Sequence, residues 1–365
     1  MVKRTKRKQH SLPNTSAEGP SRLQILLRSS AFVLYALVSI AALGAAVWSQ
    51  YYLRTTSSSQ NISTSPLWEI VDIPGKGKGM VARRNITQGT LLLRETPLFL
   101  VPPTVRQSPE QLIIALVSQL PLEKQQVFDA LSHHARPDAV GDALPLAKFE
   151  TNSMNAGESV GIFPTIARIN HGCSSAFNAA YSWREDTKET VVYAFKPIFQ
   201  GEEILISYTD TKKSRDNRRA YLKQSYNFDC TCSVCSLSPE LSKASDARLE
   251  RMAALREKLA TWANKSIGGQ EATSVINEIW RLGDEEQYLS ERGALAYDAA
   301  QVAAAHWDRV AAQAWAELAH KWFAIELGVN SVQAKAALRI AQNPRSHRDW
   351  GSRYKMEVER PIAGL

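Results

Sequence analysis

Cysteine is scarce in this chain: 365 residues contain four, Cys173, Cys230, Cys232 and Cys235. That excludes a disulfide-stapled scaffold, which needs many bridges in a short chain. Net charge is also scarce once it is located. Residues 1–28 set seven Lys and Arg against Glu18, a net of +6 out of the formal +8, so the other residues carry only +2. A basic face that tracks phosphates is not supported by that remainder, and no direct nucleic-acid binding is expected. With 44% hydrophobic and 22% charged residues, disorder is not the default either.

What is present divides the chain into stretches of different character. After the basic tail (1–28), residues 29–48 run without a charge. At about 1.5 Å per residue this is enough to cross a hydrocarbon core of about 30 Å. The run reads as a transmembrane segment, with a cleaved signal peptide and a buried helix as rivals, and it implies a single-pass membrane-anchored protein. Residues 49–66, rich in Ser and Thr, read as a linker to a folded body.

The body begins with strand-like runs. The Gly75-Lys76-Gly77-Lys78-Gly79 turn leads into Met80–Ala82 and into an apolar run over residues 90–101. Residues 103–157 interrupt them with helical spacing, clearest over 108–131 (Leu112, Ile113, Leu116, Val117, Leu120). Strand character returns at 176–183, 190–195 and 203–208. From residue 237 the composition is helical, Ala-rich, with Trp262, Trp280, Trp307, Trp315 and Trp322 as bulky core candidates. Gly268-Gly269, Gly283 and Gly328-Val329-Asn330 suggest the turns of stacked helical hairpins.

The four cysteines are the strongest local signal. Cys230-Thr-Cys232-Ser-Val-Cys235 can present three thiolates to one ion while Cys173 supplies the fourth, the ligand number of a structural zinc site. The rival readings are two disulfides or inert buried thiols; a Cys230–Cys232 bridge would be strained. His133-His134, with no ligand cluster near them in sequence, read as solvated. Glycosylation sequons such as those at Asn61, Asn85 and Asn264 are near chance for this length.

Taken in order, Gly77-Lys78-Gly79-Met80, Arg168-Ile-Asn170-His171-Gly-Cys173, Gly201-Glu-Glu-Ile-Leu-Ile-Ser-Tyr208 and Asn227-Phe228-Asp-Cys230-Thr-Cys232-Ser-Val-Cys235 resemble the SET-domain family of protein lysine methyltransferases. The likeness is strongest to its SMYD and related fungal branches. It implies an α+β fold: a SET-domain β-fold with a pseudoknot over residues 67–236, split by the helical insert 103–157 and closed by a zinc-binding segment 226–236. An all-α, tetratricopeptide-like region over 237–365 would follow. With no cysteine to spare, a MYND zinc finger is excluded.

The resemblance further implies S-adenosylmethionine as methyl donor, a structural zinc ion, and a protein substrate, a histone among the candidates, that offers a lysine. Tyr208 would be the catalytic residue. Lys78, Gly79, Met80, Asn170, His171, Tyr208 and Phe228 would bind the cofactor. A catalytically silent SET module serving as a membrane-anchored interaction scaffold is the alternative. Thiolates and cofactor favour a cytosolic or nuclear-facing body, although Arg22 and Arg28 before the apolar run, against Arg54 after it, point the other way. One departure is plain: after the first cysteine the family continues x-Pro-Asn, and this chain reads Ser174-Ser175-Ala176-Phe177-Asn178.

Overall fold

The computed structural model describes residues 66–362. Strands β1 (Trp68–Ile73) and β2 (Gly77–Ala82) form a hairpin in register Ile73↔Gly77. Its turn requires positive φ at Gly75 (74°) and Gly77 (73°), a conformation that glycine adopts without steric cost. Strand β2 pairs antiparallel with β10 (Glu203–Ile206), and β10 pairs in parallel with the two-residue β7 (Asn170–His171), so the sheet order is β1-β2-β10-β7. The Asn-His segment therefore runs beside the strand that leads to Tyr208.

Two further sheets complete the β region. Strands β3 (Leu91–Glu95), β8 (Ala179–Arg184) and β9 (Glu189–Ala194) take the order β3-β9-β8; β4 (Leu100–Val101), β5 (Ser153–Ala156) and β6 (Ser159–Ile162) take the order β4-β6-β5. Met80, Ile166, Ile169, Val192, Ala194, Ile204 and Ile206 fill the core between them. Strands β2, β3, β8, β9 and β10 match the sequence reading to within a few residues, whereas β5 and β6 lie where it predicts none.

The insert differs in detail. Its helical pattern breaks into α1 (Pro109–Ser118) and α2 (Leu122–Asp129), because Pro121 removes a backbone donor and forces the residue before it out of helical geometry. The Ser108 side chain caps α1 by accepting from Gln111 N. After α3 (Ala143–Asn152) the last part of the span is strand β5 rather than helix. Ile113, Phe128, Leu131 and Leu146 pack the insert onto Phe99, Val101 and Ile162.

Helix α4 (Arg215–Tyr226) leads to the cysteine loop, and five helices follow: α5 (Pro239–Ala260), α6 (Gly269–Glu286), α7 (Arg292–Ala305), α8 (Arg309–Leu327) and α9 (Val332–Gln342). Buried Ala296, Ala299, Ala300, Ala303, Ala312, Ala316 and Ala319 let α7 and α8 approach closely, while Trp280, Trp315 and Trp322 fill the wider gaps. Trp307 is no core residue; it is 49% exposed at the α7–α8 corner and packs edge-on to Trp350. Gly283 is not a turn but lies inside α6. There the Tyr288 carbonyl would stand 3.1 Å from an added Cβ, and the helix ends at Gln287 (φ 56°) with Tyr288 N–H bonded to the Gly283 carbonyl at 2.8 Å. Phe177 and Phe195 from the β region belong to the same hydrophobic cluster as the helices, so the two regions share one core.

The membrane-anchored localisation read from the sequence is corrected here. Among the described residues no helix is long and apolar enough to cross a membrane, and residues 29–48, on which that reading and the membrane contact rested, lie outside the described residues.

Candidate active site

A cleft of ≈790 Å³ opens between the β1–β2 turn, the insert and the cysteine loop. Of the residues read from sequence, Lys78, Asn170, His171, Tyr208 and Phe228 line it, with Cys230 and Cys232 at its end. Gly79 and Met80 do not. Met80 is fully buried in the sheet core, and Gly79 stands behind the cleft floor. A Cβ on Gly79 would meet Ile73 Cγ1 at 2.5 Å and Asn170 Nδ2 at 2.9 Å. That close approach lets the Asn170 amide donate to Lys78 O (3.2 Å) and Glu203 Oε1 (2.8 Å), joining the turn, the loop and β10.

His171 is committed within the protein on both ring nitrogens. Its Nδ1 accepts the backbone N–H of Tyr208 at 3.0 Å, so Nε2 must carry the proton of a neutral ring, and it donates toward Cys173 Sγ at 3.1 Å. Burial pushes its pKa down to about 4, which keeps it neutral.

Tyr208 donates its hydroxyl to the Ile169 carbonyl at 2.7 Å. Burial, and next the neighbouring Tyr226, push its pKa well up, so the group remains a phenol. Around it stand His171 (ring centroids 5.3 Å) and Tyr226 (5.1 Å), with Phe228 6.4 Å from Tyr226. A second, smaller cavity of ≈70 Å³ includes the same hydroxyl-bearing ring in its wall, with Met154, Ile169, Tyr181, Ile206 and Tyr226. The two cavities thus share Tyr208 and Tyr226.

Sequence reasoning missed several lining residues. Tyr226, two positions before Phe228 in a short alternating aromatic stretch, carried a local signal. Tyr181 sits in an ordinary strand, and Ser132, His134, Thr151 and Asn152 come from the insert; a single sequence offers no cue to these. His134 is exposed, as read, but on the rim of the cleft.

The four cysteines are buried, none is in a disulfide, and their sulfur atoms all lie within 4.8 Å of one another. Cys173 is 4.0 Å from Cys230 and 3.6 Å from Cys235. A tetrahedral zinc with bonds of about 2.3 Å sets its sulfurs about 3.8 Å apart, so the quartet fits the ion. Asn227, a residue type that tolerates φ of 55°, ends α4 and turns the chain into this loop.

The electrostatics fit as well. Arg218 is 1% exposed; its Nη1 binds Asp246 Oδ1 at 3.1 Å, yet its Nε and Nη2 find no partner among the described residues. Burial opposes its charge, while the sulfurs of Cys173 and Cys235 favour it. Four thiolates on a divalent cation carry net negative charge and would offset that guanidinium.

Known proteins bear on this geometry. The SET domain family description matches residues 77–209. The histone-lysine N-methyltransferase set5 of Schizosaccharomyces pombe is 30% identical over 284 residues, 77% of this chain and 85% of that one. The chain belongs to the SET-domain family of protein lysine methyltransferases. Shorter stretches resemble other members. Histone-lysine N-methyltransferase ASHR1 of Arabidopsis thaliana is 36% identical over 96 residues, 25% of this chain and 19% of its own. Histone-lysine N-methyltransferase SMYD1 of Homo sapiens is 35% identical over 85 residues, 21% of this chain and 17% of its own. This SET-domain chain is thus a protein-lysine N-methyltransferase, α+β in class, with an all-helical C-terminal region. The membrane-anchored scaffold alternative finds no support in these likenesses or in the fold.

Proposed function

We propose that this enzyme transfers a methyl group from S-adenosylmethionine to the side-chain amine of a protein lysine, a histone serving as a substrate, and that its cysteine quartet holds a structural zinc ion. The observation that carries the reading is that a large cleft and a smaller cavity share one half-buried phenol, Tyr208, as a wall residue. Two substrates that react in line need separate seats, and two cavities with a common wall would offer them. The histone assignment rests on the named activity of the fission-yeast relative.

When bound, the cofactor supplies an electrophilic methyl on a sulfonium. The protein's part is then placement and polarity. The cleft volume lies within the range of small-molecule sites, and Gly77 and Gly79 keep the turn thin where the ligand would lie. Lys78, Asn170, His171 and Phe228 would contact the cofactor, while Gly79 and Met80, which do not line the cleft, would support the turn from behind. The aromatic walls Tyr181 and Tyr226 would exclude water from the amine and hold it in line, an alignment that can lower a barrier by several kcal/mol. The Tyr208 hydroxyl, already hydrogen-bonded to a carbonyl, would stabilise charge as it moves toward nitrogen. Cys173, Cys230, Cys232 and Cys235 would tie the loop after Tyr208 to the loop that carries His171.

The test is calorimetry with S-adenosylmethionine, followed by a methylation assay on a histone mixture. Heat of binding and label on lysine are expected. No heat with millimolar cofactor overturns the proposal.

A further inference from the structure

Ser174, directly after the first cysteine, is bound to the helical region and not to the sheet beside it. It is 1% exposed and stands at φ 46°, a backbone state that non-glycine residues adopt only under constraint. Its Oγ donates to Glu286 Oε1 at 3.0 Å. Glu286 ends α6 and is 5% exposed. The same carboxylate oxygen accepts from Ser245 Oγ of α5 at 2.6 Å, and Oε2 accepts from Arg248 Nε (3.0 Å) and Nη2 (2.8 Å). A buried carboxylate is retained only when its lone pairs are satisfied. Here α5 supplies three donors and the loop supplies the fourth.

One neighbour strengthens the tie: the Phe177 ring packs edge-on to Tyr288 at 5.8 Å. From the β region, Lys196 Nζ donates to the Ser175 carbonyl at 2.6 Å. At either end the loop is pinned to β10. Gly172 N–H bonds to the Ile206 carbonyl at 2.9 Å, and Asn178 both donates to Glu203 O (3.0 Å) and accepts from Leu205 N (2.9 Å). Residues 174–177 therefore leave the sheet, touch the helices and return. This is the stretch where the chain departs from the family's shorter x-Pro-Asn.

We propose that Glu286, through Ser174, is a positioning residue for the loop that carries His171 and Cys173, so that the helical region sets the geometry of the cofactor cleft and the cysteine site. The proposal rests on the reading of those two sites given above. Ser174 and Ser245 donate to one oxygen, but only Ser174 belongs to the loop, so their variants separate positioning from simple stability.

The experiment uses the full chain and compares Ser174→Ala, Ser245→Ala, Glu286→Gln and Glu286→Ala by S-adenosylmethionine affinity, by the rate of zinc loss to a chromogenic chelator, and by thermal midpoint. Ser174→Ala is expected to weaken cofactor binding about three- to tenfold, the span of one net hydrogen bond, and to speed zinc loss. Ser245→Ala should lower the midpoint comparably and leave both other readouts near wild type. Glu286→Gln, which keeps the acceptor, should recover most of what Glu286→Ala loses. Wild-type affinity and zinc retention in Ser174→Ala overturn the proposal, as do equal effects of the two serine variants. If the wild type binds zinc but no cofactor, the cofactor reading fails and the zinc-loss comparison still decides the link. If it binds neither, both fall.

Discussion

The imidazole of His171 accepts the backbone N–H of Tyr208 at 3.0 Å. Two residues that stand 37 positions apart in the chain are thereby held as one unit, and the other ring nitrogen reaches Cys173. The bond also fixes the ring's tautomer. A disturbance at the cysteine site has a direct route to the phenol that both cavities share.

Tyr208→Phe should leave the fold and cofactor affinity near wild type and reduce methyl transfer at least about a hundredfold, the scale of losing one aligned dipole at a transition state. Single-turnover methylation beside calorimetry checks it. The lost bond to Ile169 O should lower stability by about 1 kcal/mol.

Removing the metal should release about one zinc per chain and lower both the thermal midpoint and cofactor affinity, since ligation energy is folding energy at such sites. Metal analysis of the native protein and melting with and without a chelator provide the measurement. Cys232→Ser should reproduce the chelated state, with the segment after α4 becoming protease-sensitive.

Gly79→Ala should destabilise the chain by about 1–3 kcal/mol, because the added methyl has no room against Ile73 Cγ1 and Asn170 Nδ2. Urea unfolding reports it. Gly75→Ala meets nothing within 4 Å, but its φ of 74° disfavours a side chain, so a smaller loss is expected, about 1 kcal/mol.

Glu326 gives a pH dependence away from the site. Burial pushes its pKa up to about 6, although it accepts from Ser290 Oγ and from the Glu291 N–H. The folded state therefore holds this proton more tightly than the unfolded chain, so the wild type loses stability as pH rises from about 4.5 through 6. Glu326→Gln should show no such loss from this position. Its advantage over wild type should grow between pH 4.5 and 6, approach at most about 2 kcal/mol above pH 6, and vanish below pH 4.5 in denaturant titrations.

Much of this was legible in the residues. The glycines of the β1–β2 turn, the strand alternation and the Ala and Trp content of the helical region are local matters, set by backbone conformation and side-chain shape. Four cysteines with none left over announced their own grouping. Where the sequence reading erred, a local signal was overruled. Gly283 looks like a turn residue but serves a close contact inside α6, and Trp307 looks like core but caps a corner.

By itself, then, the sequence determined the family, the fold class and the cysteine quartet, because each is written in short motifs whose order survives linear reading. Only the tertiary structure decided that His171 serves Cys173 and Tyr208 at once, that the insert walls the cleft with Asn152 and His134, and that Ser174 reaches across to Glu286. Those relations join residues as many as 112 positions apart. They depend on directional hydrogen bonds and packing, which exist only once the chain has folded back on itself.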